Sequence, residues 1–199
     1  MAASSNIATQ ILHWRTRRQS GMAVIRNYLE KASQTYLQGT PVQLSAGVLQ
    51  ACATINSAAT ALIAGFSTVP GANLSADGTP KTQNLTQAVP NQPSAVITPI
   101  GAPPNDGTSQ FLLACDEQTF VITVGHSGTA ALAVLAQSMV GSLMGLTKDA
   151  GNNFWYADFN ITTTAGGACL EVINLIDPVG TLNGRIEVKV TDAAAQLQV

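Results

Sequence analysis

Short apolar runs separated by turn signals make up most of the chain, from residue 39 to residue 199. The runs recur at intervals of roughly ten residues, and turn pairs such as Asp77-Gly78 and Asn183-Gly184 lie between them. Such spacing predicts short strands arranged as a β-sandwich or a barrel. Because the strands do not alternate with longer helical patterns, we expect a mainly β body rather than a βαβ sheet.

Individual strand pairs can also be predicted. Residues 111–114 and 119–124 are expected to form a hairpin about the CDEQ turn. A second pair is predicted on either side of residues 149–153, and a third joins residues 169–176 to residues 185–190. Single strands are predicted at residues 42–44, 48–54, 61–67 and 95–101.

Two stretches of the body remain open to more than one interpretation. Residues 130–140 fit either a short helix or a buried strand, because periodicity alone does not separate the two. Residues 68–94 contain four prolines and are either a long loop or a series of edge strands. The latter stretch is also a possible seam between two β subdomains.

The first 38 residues carry a helical pattern instead. Apolar residues are spaced three and four apart on each side of Gly21, as on one face of an amphipathic helix, and Gly39 and Pro41 follow as stop signals. We therefore predict a helical N-terminal arm, residues 1–38, and a β-rich body, residues 39–199. The apolar stripe is narrow, so the arm needs a surface to pack on, either its own body or a neighbouring molecule.

Charge separates the same two parts. The arm holds five basic residues and one acid, a local charge of +4, whereas the body holds four basic residues and ten acids, a charge of −6. Only 10% of all residues are charged, against roughly 25% in typical soluble domains, and a charge-poor surface suits protein interfaces. The basic cluster of Arg15, Arg17 and Arg18 can pair with phosphates or with carboxylates. Because the body lacks a basic and aromatic platform, protein contact is favoured over nucleic acid.

No catalytic or nucleotide-binding motif is present in the sequence. The P-loop, dinucleotide-binding and HExxH patterns are all absent. His126 and Ser127 lie in GHSGT, which nearly matches a nucleophile elbow but lacks its final Gly and its strand-to-helix context, so a turn is the better interpretation. Asp149, Asn152 and Asn153 fail the EF-hand order. We therefore expect a protein that is not an enzyme and has no catalytic residue, metal or cofactor.

Cys52, Cys115 and Cys169 are expected to be free, buried thiols. They are odd in number and widely spaced, and each lies in an apolar stretch. The arginines near the N-terminus are not followed by an apolar region of the signal-peptide type, and the longest apolar runs are too short to cross a bilayer. These features predict a soluble protein that is intracellular when made and has no membrane partner.

Five segments of the chain resemble the capsid decoration, or cement, proteins of tailed bacteriophages. The likeness is one of segment order and style over most of residues 40–198, since that family has no short diagnostic motif. The segments are PVQLSAG (41–47), IAGFSTVPGANLSADGTPKT (63–82), NQPSAVITPIGAPPNDG (91–107), MGLTKDAGNNFWYAD (144–158) and VINLIDPVGTLNGRIEVKV (172–190).

The resemblance implies a structural virion protein that binds the outer surface of a phage capsid and stabilises the head shell. Its partners would be the major capsid protein and other copies of itself, most commonly in a homotrimer and in some cases in a dimer. It would be made in the host bacterial cytoplasm and lie on the capsid exterior.

The arm is expected to supply the contacts with the shell or with a sister subunit. Its apolar side chains would be buried there, and its arginines would pair with capsid carboxylates. Two alternatives stay open: a tail or baseplate component, and a host-surface or carbohydrate-binding module in which Trp155, Tyr156 and the Pro-rich loops provide stacking surfaces. The predicted contact residues are Ile7, Ile11, Trp14, Arg15, Arg17, Arg18, Ile25, Tyr28 and Leu29.

Overall fold

A computed structural model describes residues 12–16, 24–31, 36–52, 62–68, 108–115, 118–149 and 154–197. The prediction of a mainly β protein is confirmed, because these residues form eleven strands, three short 3₁₀ turns and no α-helix. The 3₁₀ turns are Ala130–Leu132, Gln137–Met139 and Thr164–Gly166. The strands are β1 (Leu12–Thr16), β2 (Ile25–Leu29), β3 (Pro41–Ser45), β4 (Val48–Ala51), β5 (Gly65–Ser67), β6 (Thr108–Leu113), β7 (Gln118–Gly125), β8 (Leu143–Lys148), β9 (Trp155–Asp158), β10 (Leu170–Leu175) and β11 (Arg185–Val190).

The C-terminal half of the chain forms a small closed barrel. Its sheet has the order β1-β7-β11-β10-β8-β9, and β9 also pairs in parallel with the end of β7 through Val124↔Ala157 and Gly125↔Asp158. Five strands, β7 to β11, therefore close on themselves, and closure removes the exposed sheet edges that these strands would otherwise present. Strand β1 is added to the other end of β7, at residues 118–121.

The second sheet has the order β2-β6-β5-β3-β4. Strands β3 and β4 form a hairpin whose turn residues, Ala46 and Gly47, have φ of 52° and 82°, the left-handed values that suit the twist of a two-residue hairpin. The chain leaving β2 turns towards the opposite edge, because Glu30 bridges to Leu49 and the Lys31 N–H donates to the Leu49 carbonyl at 2.8 Å. This sheet is therefore strongly curled.

The apolar cores of the two sheets are continuous. One cluster fills the barrel and includes Phe120 and Ile186, but Phe66 of the second sheet and Ile63, just before β5, also belong to it. The rings of Phe66 and Phe120 lie with their centroids 4.5 Å apart. A smaller cluster around Phe111 lies within the second sheet. Because apolar side chains from both sheets share one core, the two sheets stabilise each other.

The C-terminal segment after β11 also ties the second sheet to the barrel. The Ile63 N–H donates to the Ala194 carbonyl at 2.7 Å, and the Gln196 N–H donates to the Ile63 carbonyl at 2.9 Å. The side-chain amide of Gln196 then accepts from the Leu44 N–H and donates to the Leu44 carbonyl, both at 2.6 Å. Gln196 thus satisfies one donor and one acceptor of β3.

The predicted helical arm is wrong for the parts of residues 1–38 that the structure places. Residues 12–16 and 25–29 are strands β1 and β2. Strand β2 pairs with β6 from Ile25↔Leu112 to Leu29↔Thr108. The three-and-four spacing fitted a helix, but β-branched and aromatic residues favour a strand when a partner strand is present. These two strands pair with strands of the predicted body, and the remainder of the predicted helix lies outside the described residues.

Other predictions had mixed outcomes. The pairs about residues 149–153 and between residues 169–176 and 185–190 are confirmed as β8–β9 and β10–β11. Strands β3, β4 and β5 confirm the predicted strands at those places; β5 is shorter than predicted, and residues 53–54 of the predicted strand 48–54 lie outside the described residues. The predicted hairpin of residues 111–114 and 119–124 is wrong, because β6 and β7 belong to different sheets. Apolar runs identify strands but not the partner of each strand.

Two other sets of predictions concern residues 130–140 and residues 68–101. Residues 130–140 form neither a helix of α type nor a long strand, but two 3₁₀ turns with a single bridging residue, Val134, between them. The strand predicted at residues 95–101 and all but the first residue of the stretch 68–94 lie outside the described residues. Among the described elements, the chain passes from the second sheet to the barrel between β6 and β7.

Candidate functional site

The GHSGT segment is a turn held by its own side chains. The Nδ1 atom of His126 accepts hydrogen bonds from the backbone N–H groups of Gly128, at 3.1 Å, and Thr129, at 2.9 Å. The Ser127 hydroxyl instead accepts from Asn160 Nδ2 at 3.1 Å. A serine nucleophile requires a nearby base that accepts its proton. Here Nδ1 of His126 accepts from the backbone and not from the Ser127 hydroxyl, so the arrangement fits a structural turn.

Asp158 joins three segments at the point where the barrel closes. Its carboxylate is fully buried, and Oδ1 accepts from the backbone N–H groups of Ser127, at 3.1 Å, and Asn160, at 2.9 Å. Oδ2 accepts from the Thr147 hydroxyl at 2.7 Å. Buried carboxylates are tolerated when their oxygens are satisfied in this way. The arrangement therefore holds the end of β8 and the loops after β7 and β9 together.

The aromatic residues proposed as stacking surfaces are buried. Trp155 and Tyr156 are both almost inaccessible to solvent. Burial, with the nearby carboxylates of Asp158 and Asp149, raises the pKa of Tyr156 to about 12. The prediction that Trp155 and Tyr156 offer a carbohydrate-stacking surface is therefore wrong, because a stacking platform has to expose its ring faces.

The three cysteines are free and buried, as predicted. Burial raises the pKa of Cys169 to about 12, and burial together with the neighbouring Cys169 raises the pKa of Cys52 to about 12. A thiol with such a pKa is protonated at neutral pH and is a poor nucleophile and a poor metal ligand. Across the described residues, no three His, Cys, Asp or Glu side chains lie close enough together to hold a metal ion.

Of the predicted contact residues, the structure brings Ile25 and Leu29 to one exposed surface. The two side chains lie on the same face of β2, four residues apart, and are 49% and 50% exposed. Tyr28 points to the opposite face and packs on Phe111, with ring centroids 5.9 Å apart. We call the exposed side of this strand, with Ile25, Asn27 and Leu29, the β2 face.

Two more of the predicted contact residues lie in strand β1. Trp14 and Arg15 lie in β1, where the backbone of Arg15 is paired with Thr119 of β7. Basic residues also occur along β2 and just after it, at Arg26, which is exposed, and at Lys31, whose Nζ donates to Gln50 Oε1 at 3.1 Å. The other predicted contact residues lie outside the described residues; they are Ile7, Ile11, Arg17 and Arg18.

A second exposed apolar surface was not predicted from the sequence. Its members are exposed to 55%, 36%, 60% and 53%, unusually high values for large apolar side chains in one small region. It lies where the segment after the GHSGT turn runs beside the loop between β10 and β11. We call this surface the neutral patch; it consists of Leu132, Val134, Val179 and Leu182.

Backbone hydrogen bonds hold the two segments of the neutral patch together. Val134 and Leu182 form an antiparallel bridge, so their side chains lie next to each other. The Leu135 N–H donates to the Thr181 carbonyl at 2.9 Å, and the Leu135 carbonyl accepts from the Gly180 N–H at 2.8 Å. Leu135 itself is buried beneath the surface. The exposed side chains thus project from a backbone that is already ordered.

The two segments that form the neutral patch contain no charged residue. Residues 118–147 contain no Asp, Glu, Lys or Arg, and neither do residues 178–184. The loop of residues 178–184 is flanked by Asp177 and Arg185, which pair with each other. Arg185 Nη2 lies 2.7 Å from Asp177 Oδ1, and Arg185 Nε donates to Oδ2 at 3.1 Å. These bonds to Arg185 lower the pKa of the Asp177 carboxyl.

Comparison with known proteins finds no relative of this chain. The chain matches no protein-family model, no curated protein and no solved structure. In the part of the chain that the structure describes, no helix has the length and hydropathy needed to cross a bilayer. The site is therefore described by its own chemistry: two exposed apolar surfaces on a charge-poor β protein, one followed along the chain by Lys31 and one built from segments without charge.

Proposed function

We propose that this protein is a structural virion component that binds the outer surface of a phage capsid and stabilises the head shell. The observation that carries the proposal is the exposure of ordered apolar side chains on a body with few charges, which is the composition of a protein interface. The resemblance of five segments to decoration proteins supplies the partner, the major capsid protein. In this proposal the body is barrel-like, the location is the capsid exterior, and the protein is neither an enzyme nor a nucleic-acid-binding protein.

The β2 face is the surface assigned to the shell. Burying the exposed halves of Ile25 and Leu29 contributes about 1 kcal/mol per residue. In this proposal the basic cluster that begins at Arg15 adds attraction for carboxylates of the shell. Each contact is modest, but a shell repeats it by symmetry, so that many weak contacts reinforce the lattice together. In this account the N-terminal segment acts through strands β1 and β2 and not through a helix.

Binding to isolated heads tests the proposal. Heads are prepared from a phage that lacks the gene, and the purified protein is added before sedimentation. The wild-type protein is expected to sediment with the heads, and the double variant Ile25→Asp, Leu29→Asp is expected to bind at least ten-fold more weakly, because two charges would then have to be buried. Val140→Asp, which alters an exposed apolar residue elsewhere, serves as the matched control and is expected to bind normally.

The two parts of the proposal fail in different ways. Heads that take up no wild-type protein contradict the shell-binding function itself. Undiminished binding by the double variant leaves the function standing and contradicts the assignment of the β2 face. Circular dichroism of each variant checks that the fold is retained. Retention is expected, because Ile25 and Leu29 are half exposed and their replacement leaves the core intact.

A further inference from the structure

We propose that the neutral patch is the surface through which copies of this chain associate with one another. This inference deepens the proposed function, on which its expectation of several adjacent copies rests, by naming the residues at which they meet. The juxtaposition that carries it is the group of Leu132, Val134, Val179 and Leu182, all exposed on two hydrogen-bonded segments that place Val134 directly beside Leu182.

The absence of charge is what favours a second copy as the occupant. In a symmetric association, identical surfaces meet, so any unpaired charge close to the symmetry axis faces its own copy and repels it. The stretch of residues 118–147 and the loop of residues 178–184 contain no such charge. The nearest charged residues along the chain on either side of that loop, Asp177 and Arg185, neutralise each other within one molecule. Two copies can therefore meet here without like-charge repulsion.

The β2 face has the opposite character. Lys31 is exposed just after the strand, whereas Arg26 points with Tyr28 to the opposite side of β2. A copy docked symmetrically on the β2 face would bring the two Lys31 side chains towards each other, whereas an acidic partner would complement them. The two apolar surfaces are thus suited to different partners, the β2 face to an acidic shell and the neutral patch to another copy of the chain.

The neutral patch is also preorganised for association. Its frame is fixed by the hydrogen bonds of Leu135 with Thr181 and Gly180 and by the Asn183 N–H, which donates to the Ala133 carbonyl at 2.8 Å. Little backbone freedom is therefore lost on docking, and a rigid apolar centre is the usual site of the strongest interface contacts. Small neutral residues, including the exposed Ala131 and Pro178, adjoin the centre along the chain and allow close approach.

Sedimentation velocity of the purified full chain, without heads, tests the inference. The wild-type protein is expected to form an oligomer whose share rises with protein concentration. Leu132→Asp and Leu182→Asp are each expected to weaken self-association at least ten-fold, because each places a charge opposite its own copy. The double variant Ile25→Asp, Leu29→Asp is the matched control and is expected to associate like the wild type. Leu182→Ser, which introduces no charge, replaces the Asp variant if circular dichroism shows that the latter is unfolded.

Each outcome bears on one claim. A wild-type protein that stays monomeric at all concentrations, or patch variants that associate like the wild type, overturns the inference. Loss of association in the patch variants alone supports it. Because this measurement contains no heads, it is independent of shell binding: a protein that associates through the patch but does not bind heads contradicts only the proposed function.

Discussion

Replacing Asp158 tests whether the closure of the barrel depends on its buried carboxylate. Asp158→Ala removes the acceptor of three donors, namely the backbone N–H groups of Ser127 and Asn160 and the Thr147 hydroxyl. The two N–H groups are partly buried and water can reach them after small movements, whereas the hydroxyl of Thr147 is buried. Losing the charged acceptor costs about 1 kcal/mol for each partly buried donor and about 1 to 2 kcal/mol for the buried Thr147 hydroxyl, which keeps its hydrogen bond with Tyr156, so the free energy of unfolding should fall by about 3 to 4 kcal/mol.

Asp158→Asn separates hydrogen bonding from charge. The amide keeps one oxygen, which can still accept from the N–H groups of Ser127 and Asn160. Its NH₂ group replaces the oxygen that faces Thr147, and a threonine hydroxyl can accept as well as donate. The loss should therefore be about 1 kcal/mol, since hydrogen bonds to a charged acceptor are stronger than those to a neutral one.

Urea unfolding followed by tryptophan fluorescence provides the assay, because Trp155 is buried three residues before Asp158. Asp177→Ala is the matched control: it also removes a carboxylate with several hydrogen bonds, but a partly exposed one, and should cost at most about 1 kcal/mol. Two results would refute the reasoning. One is a loss below about 1 kcal/mol for Asp158→Ala, and the other is an equal loss for Asp158→Ala and Asp158→Asn.

Three further predictions concern packing, pH and thiol reactivity. Gly65→Ala should cost at least about 2 kcal/mol or prevent folding, because a Cβ there meets the Leu112 carbonyl oxygen of the paired strand; thermal unfolding measures the loss, and a near-neutral effect contradicts the pairing. Arg185 lowers the pKa of Asp177, so the ion pair should stabilise the fold slightly above pH ~4 and lose this effect as the pH falls through the folded-state pKa. Urea titrations at neutral and acidic pH measure the stability that the pair contributes, and Asp177→Asn should remove its dependence on pH. All three buried thiols should react with a thiol reagent only after unfolding, and rapid reaction of the folded protein would be inconsistent with their burial.

The elements that were predicted correctly are those whose partners are close in sequence. The β10–β11 pair is marked by an alternating apolar pattern on both sides of Asn183-Gly184, and the β8–β9 pair by a polar turn between two strand-like runs. In both cases the turn brings neighbouring strands together, so local signals are sufficient. The burial of the three cysteines was also evident from their apolar surroundings.

The errors arise where the partner of a residue is distant in sequence. The spacing of Ile25 and Leu29 fits a helix until β6, about eighty residues later, is available as a partner strand. The neutral patch escaped prediction for the same reason. Its segments meet through the bridge between Val134 and Leu182, and nothing local to either segment indicates that pairing. In the sequence, residues 130–136 are an unbroken apolar run, which does not show that Leu132 and Val134 are exposed.

Direct imaging of the virion tests the central claim, that this protein decorates a phage head. A cryo-electron microscopy reconstruction of the phage that encodes the protein would locate every copy. Many symmetry-related copies are expected on the outer surface of the shell, with the β2 face against the capsid protein and the neutral patches of adjacent copies in contact. Density for the protein at the tail or at one vertex alone, or none on the outer surface of the head, would contradict it.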